Sequence, residues 1–192
     1  MAHAKGTVVV EAVKALQAQG GRGKSFLPEK LAHYLEQRIV LASWYPLEDY
    51  AESLRAMMKS SGGRGNPCEK MGRDAARAHM EGTYSRFSKN ADRKAAFSLL
   101  SSMYDTGELR VVERDAGHAV VELLNFALPT REICDTFTGY QAERMSILGF
   151  EDVHVHHTKC RVIAAVACVW ELSWKARDSG CVVGDWLGRF AR

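Results

Sequence analysis

The chain has 192 residues, and 26 Lys+Arg set against 23 Asp+Glu give a net charge of +3. That length suits one domain able to bury roughly 70% of its unfolded surface, so no disulfide scaffold is needed. Hydrophobic content of 46% and charged content of 26% exclude a disordered or low-complexity chain. So small a net charge excludes the basic field by which proteins grip nucleic acid or an anionic membrane.

The opening residues reach only Val8-Val9-Val10 before Glu11 breaks the apolar run, far short of a signal-peptide core. The longest apolar run, residues 162–170, is nine residues long, where a bilayer span needs about 20. The cytoplasm is the expected location, with no membrane or nucleic-acid partner. Five cysteines in that compartment are buried apolar side chains, metal ligands or reactive thiols rather than disulfides.

In chain order, Val9, Val13 and Leu16 recur at helical spacing ahead of Gly20-Gly21-Arg22-Gly23-Lys24-Ser25. That run lacks the first glycine of a phosphate-binding loop, Ala18 standing in its place, and reads as a basic turn. Pro28 opens a stripe of Leu31, Tyr34, Leu35 and Ile39, and Pro46 opens another of Tyr50, Leu54, Met57 and Met58. After the glycine cluster at 62–65, a small-residue helix over 69–87 aligns Ala75, His79, Gly82 and Arg86, and a shorter helix is expected over 92–104.

The pattern changes near residue 107. Two β-rich runs flank Asp115-Ala116-Gly117 and predict a hairpin. Pro129 and Thr130 open a helix that Gly149 ends, and two further strands follow. Strands are expected over 108–114, 118–126, 152–159 and 163–174, the last with Ala164, Val166, Cys168, Trp170, Leu172 and Trp174 on one face. Helices segregated from antiparallel strands predict an α+β fold: a sheet of about four strands covered by helices. The expected organisation is one domain, with a helical part over 7–105, a sheet part over 106–176 and a tail over 177–192.

No nucleophile elbow is present, and no Ser or Cys has a base and an orienting group in evident register. His79 reads either as a pocket residue or as a satisfied core histidine. The most informative set is Cys134 in the first turn of its helix, His157 and Cys160 at the end of a strand, and Cys168 on the returning strand. Parity turns His157 inward with Val153 and Val155, and turns His154 and His156 to the opposite face. Three thiols and an imidazole suit tetrahedral zinc; the competing reading is four separately buried side chains.

Residues 133–174, with Cys-Asp-Thr-Phe-Thr-Gly-Tyr, His-Thr-Lys-Cys and Cys-Val-Trp-Glu-Leu-Ser-Trp, resemble the 4-vinyl reductase domain family. That family includes the aromatic-sensing domains of phenol and xylene regulators, and it is more distantly similar to TRAPP tethering subunits and haem–nitric-oxide sensor domains. The stretch from Leu35 to Tyr50 resembles uncharacterised bacterial paralogues of that group. The resemblance implies a zinc site at Cys134, Cys160 and Cys168, whose intervals of 26 and 8 residues (134 to 160, 160 to 168) look like those of the zinc-bearing sensors. His157 takes the place of their acidic ligand. Relatives carry a Gly-Asp-type turn between the last two cysteines, where this chain has Arg161-Val162-Ile163-Ala164-Ala165.

A homodimer is implied as well. The expected function is a non-enzymatic sensory or regulatory module that binds a small apolar or aromatic molecule, contacted by His79, Tyr84, Phe87 and Trp170, and signals to a separate output protein. A structural Zn2+ ion would pin the 130–148 helix to the last hairpin. The alternatives are a homodimeric interaction scaffold like the tethering subunits and an accessory protein of tetrapyrrole reduction.

Overall fold

The computed structural model describes residues 1–82 and 103–176. Strand β1 (His3–Lys5) pairs antiparallel with β2 (Trp44–Pro46). Around this ribbon lie helices α1 (Gly6–Ala18), α2 (Gly21–Phe26), α3 (His33–Glu36), α4 (Leu47–Ser61) and α5 (Pro67–Glu81). The second part holds β3 (Glu108–Arg114), β4 (His118–Leu124), α6 (Arg131–Ile147), β5 (Phe150–Lys159) and β6 (Cys168–Ala176). These four strands form one antiparallel sheet in the order β3-β4-β6-β5, which leaves β5 at an edge. The α+β class and the four-stranded antiparallel sheet are as expected.

The helix boundaries follow local chemistry. Asn66 caps α5 by accepting from the Glu69 N–H, with Pro67 at the first helical position, and Gly62 ends α4 at φ 62°. Thr130 caps α6 by accepting from the Ile133 N–H at 3.2 Å. Gly72 and Gly139 let α5 and α6 meet backbone to backbone: a Cβ on Gly139 would lie 1.9 Å from the Glu69 carbonyl oxygen, and one on Gly72 would lie 2.1 Å from that of Thr136. Arg77 on α5 reaches across to Glu143 on α6 at 2.7 Å.

Three expectations are corrected. The stripe from Leu31 to Ile39 makes only a 3-10 turn (Glu29–Leu31) and the single turn α3, because the segment buries Leu31, Tyr34 and Ile39 through tertiary contacts without needing a long helix. The ribbon β1–β2 lies inside the part expected to be helical. The last strand begins at Cys168 rather than 163: residues Arg161–Ile163 form a 3-10 turn and Ala164 takes a left-handed φ of 70°, so the chain turns where relatives carry Gly-Asp. The helix expected over 69–87 is seen as far as Glu81, and residues 83–87 lie outside the described residues, as does most of the one expected over 92–104.

Candidate metal centre

The first turn of α6, the end of β5 and the start of β6 converge on one point beneath the sheet. Cys134 sits just inside the Thr130 cap, and its sulfur lies 3.9 Å from that of Cys160 and 3.7 Å from that of Cys168. Donor atoms of Cys134, His157, Cys160 and Cys168 all lie within 4.8 Å of one another. Ligands about 2.3 Å from a tetrahedral zinc stand about 3.8 Å apart, so these sulfurs are already at chelating separation. All three thiols are buried and free.

Register explains the imidazole. His157 pairs with Trp170 across β5–β6, and the rings stack at 4.6 Å and 13°. The Trp170 Nε1–H donates to Thr138 Oγ1 at 2.9 Å, and Thr138 in turn donates to the Cys134 carbonyl at 3.0 Å. A tryptophan and a threonine thus fix both the imidazole plane and the turn bearing the first cysteine. His157 Nε2 is buried without a hydrogen-bond partner, an arrangement that costs about 1–3 kcal/mol unless something accepts the nitrogen's lone pair or proton. The Trp170 and Thr138 supports are not visible in the sequence pattern; once the strand register is known, the pairing of 157 with 170 reveals them.

The electrostatics single out one sulfur. Hydrogen bonding from the Cys134 thiol, with help from His157 and from the Arg161 N–H at 3.4 Å, pulls the Cys168 thiol well down against the opposing effect of burial. The Cys134 thiol, as donor to that thiolate and then through burial, is pushed well up. Cys134 as donor thus favours the thiolate form of Cys168, the form in which a cysteine ligates a metal. Cys68 lies apart, buried against α4 near the Leu54 carbonyl, with burial as the main cause of its raised pKa. Cys181 is outside the described residues.

Comparison of the coordinates finds H-NOX domains. One from S. oneidensis, solved in the Fe(II) ligation state, superposes with TM-score 0.66 at 11% identity over 89% of this chain and 96% of that one. An oxygen-binding H-NOX domain related to soluble guanylate cyclases gives TM-score 0.58 at 15% identity over 89% and 95%. A third, Fe(II) unliganded and from K. algicida, gives 0.60 at 8% over 90% and 97%. This chain has their fold. No protein-family model matches the sequence, and no curated protein matches it.

The fold raises the question of haem, which needs an axial His, Cys, Met or Tyr facing a space the size of the macrocycle. All seven histidines lie within the described residues. His79 is buried, with Nε2 donating to the Thr7 carbonyl at 3.2 Å and Nδ1 3.4 Å from the Tyr140 hydroxyl, so both nitrogens are engaged. His3 is tied to Asp105, and His33 to the Lys30 carbonyl. His118, His154 and His156 lie on the outer face of the sheet, and His157 belongs to the cysteine cluster. Between α6 and the sheet, Tyr104, Phe126, Phe137 and Trp170 pack ring against ring, and the cavity beside them measures about 10 Å3, room for one water at most. No histidine lines that cavity, so the described residues offer a haem no histidine ligand there.

Of the four residues expected to contact a ligand, His79 sits between α1 and α6, Trp170 stacks between His157 and Phe137, and Tyr84 and Phe87 lie outside the described residues. Burial lowers the His79 pKa from its usual 6.5. Protons then bind the unfolded chain more readily than the folded one, so stability is full above about pH 6.5 and falls as pH drops toward the folded pKa. His79→Gln is expected to flatten this slope in a series of thermal melts between pH 7 and pH 5.

Proposed function

We propose that this chain is a non-enzymatic sensory or regulatory domain held together by a structural zinc ion on Cys134, His157, Cys160 and Cys168. The observation that carries the reading is the convergence of four donor atoms within 4.8 Å from three separate elements. Four protein ligands leave no open position for water or substrate, which favours a structural over a catalytic metal. The resemblance of residues 133–174 to the zinc-bearing sensors supports the same assignment. Likeness to an oxygen-binding H-NOX domain supports a sensory role for the fold.

In this reading the signal passes to a separate output protein, the domain acts as a homodimer in the cytoplasm, and the ligand is a small apolar or aromatic molecule. No described helix is long and apolar enough to cross a membrane. A second reading, an interaction scaffold, draws support from two observations: the ring-filled core beside its 10 Å3 cavity, and the exposed Val162, Ile163 and Val166 at 48, 75 and 89%.

Native mass spectrometry of protein purified from zinc-supplemented cells tests both. One zinc per chain together with a co-purified small molecule supports the sensor. One zinc with no small molecule, in a species that self-associates until Ile163→Asp and Val166→Asp abolish association, supports the scaffold. Protein that folds and carries no metal overturns the zinc assignment.

A further inference from the structure

The outer face of β5 carries a second group of metal-binding side chains, separate from the cysteine cluster. His154 and His156 are two residues apart on an edge strand, so both imidazoles project from the same exposed face. Their rings are nearly parallel, 10° apart, with centroids 6.4 Å from each other. Glu171 on β6 is the register partner of His156 and is exposed on the same face, which places its Cβ about 4.5–5.5 Å from that of the histidine. Asp152, bonded to Lys175 at 2.8 Å, adds a second carboxylate at the His154 end. We propose that His154, His156 and Glu171 form a surface site for a divalent transition-metal ion.

Chemistry sets the class of ion. Two imidazoles and a carboxylate suit nickel, copper or zinc and are poor ligands for magnesium or calcium, which favour all-oxygen shells. Geometry sets the strength. Imidazoles sharing one ion place their ring centres about 5 Å apart, given metal–nitrogen bonds of about 2.0–2.1 Å, so the observed 6.4 Å must close slightly. Both side chains are exposed, so rotation about χ1 and χ2 can bring the rings together. The three residues leave coordination positions to water, so this site binds more weakly than the buried four-ligand cluster. His118 shares the row of His154 through Ser173 but stands two strand spacings away, about 9.6 Å, too far to join. On the inner face of the same strand His157 is committed to the cysteines, so the two groups do not share a ligand.

The test uses the whole 192-residue chain, equilibrated with zinc beforehand and carrying His3→Asn, which removes the histidine nearest residue 1 as a competing nickel ligand. Nickel is added by equilibrium dialysis, and nickel and zinc are both counted by mass spectrometry. One nickel per chain is expected, with zinc unchanged. His154→Gln and His156→Gln should each weaken nickel binding by at least the about tenfold that losing a mere outer-shell partner costs a metal site. Glu171→Gln should weaken it less. All three positions are exposed, so the variants fold, and an unchanged melting temperature confirms it. Nickel bound equally well by the double histidine variant, nickel that enters only by displacing zinc, or no nickel bound at all would overturn the proposal.

Discussion

If Cys160 holds zinc as proposed, Cys160→Ser is expected to abolish zinc binding and to lower the melting temperature by about 10 °C. Structural zinc contributes about 10–16 kcal/mol to the folding of small metal-dependent domains. Here a hydrophobic core exists besides the metal, so a third of that, about 3–5 kcal/mol, is the scale expected. At about 2–4 °C per kcal/mol for a chain of this size, the shift reaches about 10 °C. The effect is large because the cluster ties α6 to β5 and β6 across separations of 26 and 34 residues. A strong chelator should reproduce the shift in the unmodified protein, while Cys68→Ala should leave zinc content unchanged because Cys68 lies under α4, away from the cluster. In the proposed zinc-bound form, acid should act in the same direction as the chelator, since the ligands would take up protons to release the ion. A Cys160→Ser protein that retains a full equivalent of zinc would remove Cys160 from the ligand set.

Gly139→Ala is expected to destabilise the fold by about 1 kcal/mol. The added Cβ would meet the Glu69 carbonyl oxygen at 1.9 Å and its carbon at 2.7 Å, both backbone atoms that cannot rotate away. The helices must part, a form of overpacking that costs typically about 1–3 kcal/mol and sometimes more. About 1 kcal/mol returns from the better helix propensity of alanine, which leaves the net loss stated. Gly72→Ala should behave alike, since its Cβ meets the Thr136 carbonyl oxygen. Gly21→Ala is the control: nothing lies within 4 Å of its added carbon, so stability should hold or rise. Chemical denaturation of the variants side by side decides the matter, and a Gly139→Ala protein as stable as its parent would mean that α5 and α6 do not approach so closely.

What the sequence revealed of this molecule was local or periodic. Thr130 marked the start of α6, Asp115-Gly117 marked the hairpin, and the alternation 153–155–157 turned His157 inward, where it lies. The stretch from Leu31 to Ile39 misled because apolar spacing alone cannot tell a helix from a chain that buries the same side chains in single turns. The resemblance placed a turn between Cys160 and Cys168, but the strand was expected to begin at 163 because a left-handed alanine such as Ala164 bears no composition signal. Gly139 offered a usable hint: glycine inside a helix is unfavourable on its own, so its presence there marks a close neighbour. The identity of that neighbour, Glu69 on α5, depended on the tertiary fold.

Cys134 and Gly139 stand five residues apart on α6, about 7.5 Å along its axis. One end of this short rod is anchored in the cysteine cluster, and the other bears directly on the backbone of α5 with no side chain between to absorb movement. The span from the cluster to α5 is thus about a turn and a half of helix that meets the α5 backbone directly, with no rotatable side chain in the contact.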